Sequence, residues 1–399
     1  MSRSILSSAA CAAGIVLAGC GSGSSGRLTP NQKAEATQQW NAARAGALTN
    51  LATDQYKEGN FEKCNETLTQ ALRLEPNNAG LHVLAARLAI EQSKLENAEK
   101  HLVEARRLDP SSAEPYYLSG VLLQRWQQPE RACASYAAAV EKNPQELSYV
   151  LAQGEMLITL GKPVEALALL QSKAAYFEHS GAIRDAIGQL LVGQKRYTEG
   201  VDELRKASVM SSSDATIREH LGFALFASKR YVEASDVFDR LLKDPSFAKR
   251  ADVRAAMGEC YAQSHRMLEA RKLYETATEL QPTCCGYWLG LAKVASQLGD
   301  LHGAELAVRK AISVDATSSE AQILLGYVRL QQNQLPQALT AFRTAADLNP
   351  KDSVSVCLQG YLLTRMGLSA IAKTYYAKAL EMNPQDPLAS QLITALPLD

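Results

Sequence analysis

The residues best able to do chemistry in this 399-residue chain are its cysteines and histidines. Beyond Cys20, the cysteines are Cys64, Cys133, Cys260, Cys284, Cys285 and Cys357. Their spacing matches neither a C-x₂-C zinc site nor a haem-attachment motif. A disulfide between the vicinal Cys284 and Cys285 would need strained geometry. We therefore expect free thiols, which are more usual in a cytosolic protein than in an exported one.

The histidines are equally dispersed: His82, His101, His179, His220, His265 and His302. The sequence contains no H-E-x-x-H motif, no nucleophile elbow and no glycine-rich phosphate loop. Lysine plus arginine and aspartate plus glutamate each number 42, with no long run of either sign, which argues against a nucleic-acid surface. We expect no catalytic residues, no cofactor, no metal and no small-molecule substrate.

The first 19 residues carry one charge, at Arg3, followed by an apolar stretch too short to span a membrane but typical of a signal peptide. The stretch ends in "LAGC", which resembles the lipobox of bacterial lipoproteins. That resemblance implies cleavage before Cys20 and its lipidation. Residues 20–28 then read as a lipidated cysteine and a flexible Gly/Ser tether. Gly21 resembles the sorting pattern for the outer membrane, so we expect a lipid-anchored protein of the cell envelope, on the periplasmic face.

Helix stops recur along the rest of the chain. Short motifs ending in proline stand at Pro76, Pro110 and Pro144, spaced by 34 residues, and again at Pro350 and Pro384. Proline cannot continue a helix and disfavours helical geometry in the residue before it. The chain is therefore expected to repeat one helical unit every 34 residues.

This period, with the residues inside it, resembles the tetratricopeptide repeat. The block at 220–242 supplies Leu221, Gly222, Tyr231, Ala234 and Phe238 at matching places. The resemblance implies an all-α, right-handed α-solenoid of about ten helix-turn-helix repeats over residues 45–386, preceded by a leading helix at 29–44 and followed by a capping helix and tail at 387–399. The blocks are expected to start near Ala45, Ala79, Ala113, Leu147, Gly181, Ala215, Ala251, Cys285, Ser319 and Ser353. A step of 37 residues between Pro245 and Pro282 predicts one longer loop.

In the tetratricopeptide family the first helices line a concave groove that holds partners. Carried over to this sequence, the groove positions are Arg87, Tyr117, Arg125, Glu155, Asp185, Glu219, Phe223, Phe226, Asp252, Glu259, Tyr327, Tyr361 and Arg365. The acids of the middle blocks surround Phe223 and Phe226, which favours a protein or peptide segment carrying basic residues and an apolar anchor. The competing interpretation is a solvated acidic face with aromatic residues that pack between repeats.

These features predict a non-enzymatic protein-protein interaction scaffold anchored to a membrane through its N-terminal lipid. Within that class the chain is similar to repeat lipoproteins of pilus and secretin assembly, including Flp-type systems. Two alternatives stay open. One is a cytosolic co-chaperone or regulator whose N-terminus only resembles a signal peptide. The other is an adaptor of polysaccharide or peptidoglycan machinery.

Overall fold

The computed structural model describes residues 29–394, and every regular element within that range is helical. The expected signal peptide, the lipidation of Cys20, the tether and the last five residues of the tail lie outside the described residues. The chain divides into two compact units, between Trp126 and Gln127. The division falls inside the third predicted block.

The first unit contains two helical hairpins and one further helix. The helices are α1 (Pro30–Lys57), α2 (Phe61–Leu74), α3 (Ala79–Glu91), α4 (Leu95–Leu108) and α5 (Glu114–Arg125). Residues 29–44, expected as a leading helix, are continuous with the first helix of block one, so that α1 runs for 28 residues. Thr29 begins α1 with a capping box to Gln32.

The second unit opens with a single helix, continues with seven hairpins and ends with a short helix. The helices are α6 (Pro129–Lys142), α7 (Leu147–Thr159), α8 (Pro163–Lys173), α9 (Gly181–Gly193), α10 (Tyr197–Met210), α11 (Ala215–Ala227), α12 (Tyr231–Leu242), α13 (Ala251–Gln263), α14 (Met267–Leu280), α15 (Cys285–Gln297), α16 (Leu301–Val314), α17 (Ser319–Gln331), α18 (Leu335–Leu348), α19 (Ser353–Arg365), α20 (Ser369–Met382) and α21 (Pro387–Thr394). A 3₁₀ turn, Ala174–Phe177, follows α8.

The helix stops lie where the prolines predict them. The helices α2, α4, α18 and α20 each end two residues before a proline of the 34-residue series, for example α2 at Leu74 before Pro76. Within a hairpin the turn instead depends on one residue with positive φ, such as Gly59 at +75° or Gly299 at +80°. Glycine adopts this backbone conformation without steric cost, and the following residues then start the second helix.

The two helices of a hairpin approach closely because glycine faces a large side chain. A Cβ atom at Gly222 would lie 2.6 Å from the ring of Phe238, which is fully buried. Alanines at one repeated place on the second helices, such as Ala98, Ala234 and Ala372, are likewise fully buried. Stacking of neighbouring hairpins then closes the apolar face that each would expose alone.

The predicted longer loop is confirmed: residues 243–250 separate α12 from α13. Phe247 in this loop is buried in the core of that region, and the guanidinium of Arg250 lies 5.3 Å from its ring centre. At the other end of the unit, Asp386 accepts backbone N–H groups from Leu388 and Ala389 and so begins α21. This last helix covers the apolar face of α19 and α20.

Candidate partner-binding surface

The first helices of successive hairpins form a layer in each unit. In the second unit α9 contacts both α7 and α11, and each following first helix contacts the next as far as α17. In the first unit α3 contacts α1 and α5. Second helices of successive hairpins, such as α10 and α12, make at most marginal contact. Each unit therefore presents a nearly continuous surface built from its first helices. Three of the predicted groove residues lie in the first unit and ten in the second.

In the first unit the two predicted arginines connect neighbouring helices. Arg87 on α3 pairs with Glu114 on α5 at 2.5 Å, and Arg125 on α5 donates to the carbonyl of Ile90 on α3 at 2.5 Å. Tyr117 packs against the core between the same helices. These side chains are already engaged within the unit.

Three of the predicted acids in the second unit bind a basic side chain, and for two of them, Asp185 and Glu219, it comes from the next repeat. Asp185 on α9 accepts from His220 on α11 at 2.8 Å. Arg250, the last residue before α13, donates to Glu219 and to Asp252, each at 2.6 Å. The hydrogen bond to Asp185 raises the pKa of His220, although burial opposes it. Bonding to Arg250 lowers the pKa of the Asp252 carboxyl. These acids are therefore already engaged within the unit.

The other two predicted acids differ from each other. Glu259 accepts the hydroxyl proton of Tyr274 at 2.8 Å and the amide of Gln263 at 2.8 Å. Burial, reinforced by the Glu259 charge, raises the pKa of Tyr274. Glu155 on α7 is exposed, and its carboxylate makes no hydrogen bond or ion pair with any residue from 29 to 394. Glu155 is thus the acid of this set whose charge is available to a partner.

Three of the predicted aromatic residues pack on the second helix of their own hairpin. Phe223 meets Phe238 edge-on at 5.2 Å between ring centres, and Phe226 meets Tyr231 at 5.9 Å. Tyr327 is 38% exposed and contacts Phe342 at 5.5 Å. On α19, Tyr361 is half-buried and Arg365 is exposed. The rings of Phe223 and Phe226 therefore serve the contact between α11 and α12.

An open cleft of about 450 Å³ lies between α7 and α9. Its lining residues are Leu151, Gly154, Glu155, Ile158, Pro163, Leu170, Ala186, Gln189, Leu190, Gly193 and Gln194. Leu170 closes the floor from α8, and Ile158 is 48% exposed at the rim. This α7–α9 cleft thus combines an apolar interior with the unpaired carboxylate of Glu155.

Apart from Glu155, none of these lining residues was among the predicted groove positions. The lining residues on α7 could have been predicted from the sequence. Leu151, Glu155 and Ile158 are spaced by four and three residues, so their side chains share one face of that helix. On α7 and α9 the predicted groove positions were limited to Glu155 and Asp185, so their apolar neighbours were missed.

No group of three or more His, Cys, Asp and Glu side chains is arranged to hold a metal ion within residues 29–394. The six described cysteines are free thiols, including the vicinal pair Cys284 and Cys285. Burial raises the pKa of Cys260 to about 12 and that of Cys357 to about 11. In the described range, no helix has both the length and the apolar character needed to cross a membrane.

Three family models, each described as tetratricopeptide repeat, match most of the chain. One matches residues 55–122, the second matches 117–176, 186–252 and 289–353, and the third matches 355–386. The chain belongs to the tetratricopeptide-repeat family. Its fold is the all-α repeat solenoid expected of that family, a fold that typically serves as a non-enzymatic scaffold for protein-protein interaction. Among curated proteins the comparison found no match.

Solved structures of the same family resemble the chain at low sequence identity. A tetratricopeptide repeat protein from Parabacteroides merdae is 16% identical, with a TM-score of 0.47 over 63% of this chain and 98% of that one. The Cut9–Hcn1 hetero-tetramer of the APC/C gives 12% identity and a TM-score of 0.45 over 92% and 93% of the two chains. YrrB, described as having an unusual peptide-binding site, gives 19% identity and a TM-score of 0.39 over 48% and 97%.

Proposed function

We propose that this protein is a non-enzymatic docking scaffold, anchored through a lipid on Cys20 to the periplasmic face of a bacterial outer membrane. Partner proteins dock on the first-helix layer, and pilus or secretin assembly of the Flp type is the setting that the N-terminus and the repeats together favour. The "LAGC" motif with its Gly/Ser tether supports the anchor. Membership of the tetratricopeptide family supports the scaffold.

The α7–α9 cleft is the observation that carries the choice of partner. Asp185, Glu219 and Asp252 are already bonded to His220 or Arg250, whereas Glu155 keeps a free charge beside an apolar interior. A protein segment with an aliphatic side chain and an adjacent lysine or arginine satisfies both features. The aliphatic side chain would fill the cleft, and the base would pair with Glu155. This assignment moves the proposed anchor site from Phe223 and Phe226 to Leu151 and Ile158.

The energies show which half of this contact dominates. Removing an aliphatic side chain from water contributes about 1.5–3 kcal/mol. An exposed ion pair such as the one proposed for Glu155 contributes about 0.2–1 kcal/mol. The cleft therefore supplies most of the affinity, and the carboxylate chiefly selects partners that carry a base beside the anchor.

In-cell photocrosslinking tests the docking site. A photoreactive residue at position 158 is expected to capture a partner that the same residue at position 232 does not. Val232 is a matched control because it is 66% exposed but lies on the second helix α12. Ile158→Asp should lower partner affinity roughly tenfold or more, because about 1.4 kcal/mol corresponds to a factor of ten. Equal capture at both positions, or unchanged recovery with Ile158→Asp, would reject the site.

Intact-mass analysis of the membrane fraction tests the anchor independently. We expect the wild-type chain to begin at an acylated Cys20. We expect the Cys20→Ser variant to remain unprocessed. The six free thiols favour the alternative of a cytosolic co-chaperone or regulator. An unprocessed Met1 in the soluble fraction would support that alternative and reject the lipid anchor. An adaptor of polysaccharide or peptidoglycan machinery would differ in the partner that the crosslink identifies.

A further inference from the structure

Two histidines outside the proposed docking cleft converge in the second hairpin of the first unit. His82 lies on α3 and His101 on α4, and their rings are 5.3 Å apart between centres, tilted by 44°. The two Nδ1 atoms are 3.0 Å apart, and both side chains are partly exposed. Each Nδ1 atom is therefore directed into the same small space between the helices.

The Nε2 atom of His82 is already committed to the backbone. It lies 2.8 Å from the carbonyl oxygen of Pro76, so it must carry a proton and donate it. The Nδ1 atom of His82 consequently carries a lone pair, which accepts the hydrogen bond from Nδ1–H of His101 at 3.0 Å. A histidine whose distal N–H donates to a carbonyl is oriented in the manner of a metal ligand, because that bond fixes both the tautomer and the ring.

The equivalent place in the eighth block shows that this arrangement is not required for packing. There Trp288 replaces His82, and its Nε1–H donates to the carbonyl of Pro282 at 2.8 Å. Ala307, the counterpart of His101, is buried in the cluster against which Trp288 packs. The Trp–Ala pair makes the same backbone hydrogen bond with no ring nitrogen left over. The second hairpin thus carries two nitrogen donors that the repeat does not need.

We propose that His82 and His101 form a two-histidine chelate for a divalent late transition metal, which replaces the proton between the two Nδ1 atoms while His101 takes the neutral tautomer protonated at Nε2. With metal–nitrogen bonds of about 2.05 Å, a nitrogen separation of 3.0 Å corresponds to an N–metal–N angle of about 94°. That angle suits the cis positions of a tetragonal Cu²⁺ or Ni²⁺ site better than the tetrahedron of Zn²⁺. The order of affinity is then Cu²⁺ above Ni²⁺, with Zn²⁺ weaker than Cu²⁺.

The protein supplies two ligands, and water completes the coordination. Glu104 lies one turn after His101 on α4, but both of its carboxylate oxygens accept from Arg107, at 2.5 and 2.9 Å. Glu75 is likewise bonded to Asn78 in the turn that contains Pro76. The neighbouring carboxylates therefore stiffen the surroundings of the chelate without closing it into a cage.

Metal titration of the tag-free full chain, followed by calorimetry and by Cu²⁺ electron paramagnetic resonance, tests the site. The probes are Cu²⁺, Ni²⁺ and Zn²⁺ alone, in a background carrying Cys133→Ser, Cys284→Ser and Cys285→Ser so that these half-exposed thiols cannot bind them. One Cu²⁺ per chain with two equatorial nitrogen ligands is expected. His82→Trp and His101→Gln should each weaken Cu²⁺ binding at least tenfold.

The matched control is the double variant His82→Trp/His101→Ala, which reproduces the Trp288–Ala307 pair. It should fold as the parent does, by circular dichroism, and lose the nitrogen signature, whereas His302→Gln should change neither. Cu²⁺ binding of equal affinity in the double variant, or a signal without two nitrogen ligands in the parent, would show a hydrogen-bonded histidine pair only and overturn the proposal.

Discussion

The hairpin contact at Gly222 makes a sharp prediction about stability. In Gly222→Ala the new Cβ atom would lie 2.6 and 2.9 Å from two ring carbons of Phe238. Ordinary contacts begin near 3.4 Å, so the ring must move by nearly 1 Å in a close-packed interior, at a cost of about 1–3 kcal/mol. Alanine in place of glycine returns about 0.5–1 kcal/mol by restricting the unfolded chain. The net expectation is a destabilisation of roughly 1–2 kcal/mol.

Gly154 provides the matched control within the same unit. It occupies the same place in the α7–α8 hairpin, but its facing side chain is Leu170, whose nearest atom would be 3.4 Å from the added Cβ. Gly154→Ala therefore meets ordinary contact distances and should be neutral or stabilising by about 0.5 kcal/mol. The two substitutions are chemically identical, so a difference between them isolates the overpacking at Phe238.

The assay must resolve individual hairpins, because repeat arrays need not unfold in one transition. Hydrogen exchange followed by mass spectrometry should show faster exchange in α11 and α12 for Gly222→Ala and no such loss in α7 and α8 for Gly154→Ala. Phe238→Leu added to Gly222→Ala should recover part of the loss, which a double-mutant cycle measures as coupling. Equal protection of α11 in wild type and Gly222→Ala would refute the packing argument.

Two further predictions follow from the shifted pKa values. Because the pKa of His220 is raised by Asp185, its stabilising contribution is complete below the ordinary histidine pKa of about 6.5 and is lost as the pH rises through the higher folded value. Wild type should accordingly lose more stability than His220→Gln between about pH 6 and 8, and an NMR titration placing the His220 pKa below 6.5 would contradict this. Burial and the raised pKa values of Cys260 and Cys357 should protect both thiols from iodoacetamide at pH 8 in the folded protein, while Cys284 and Cys285 react, as peptide mass spectrometry can measure.

The helices and their pairing were predictable because their signals are local. Proline at position 76 or 110 ends a helix because its own ring and missing N–H prevent the helix from continuing. A small residue such as Gly222 or Ala234 indicates a close contact between helices wherever it recurs with the repeat period. The predicted block starts from Ala79 to Ser353 accordingly fall within one residue of the helix starts. The extra three residues before Pro282 also revealed the loop at 243–250.

The state of the predicted acids was not predictable in the same way, because their partners come from the next repeat. Asp185 meets His220 at a separation of 35 residues, and Glu219 meets Arg250 at a separation of 31. The second pair also depends on the conformation of the longer loop, which no local signal specifies. His82 and His101 were not predicted to meet for the same reason. They are 19 residues apart in the sequence, and only the packing of α3 against α4 brings their rings together.

The distribution of hydrogen bonds between neighbouring first helices is consistent with an open cleft between α7 and α9. Between α9 and α11, Asp185 accepts a hydrogen bond from His220, and between α11 and α13 the guanidinium of Arg250 bonds to Glu219. At one end of the α7–α9 cleft, Gln194 donates to the carbonyl of Pro163. Mostly apolar side chains line the rest of the α7–α9 cleft. Because Ile158 is 48% exposed to water in the isolated protein, a partner that covers it gains hydrophobic free energy.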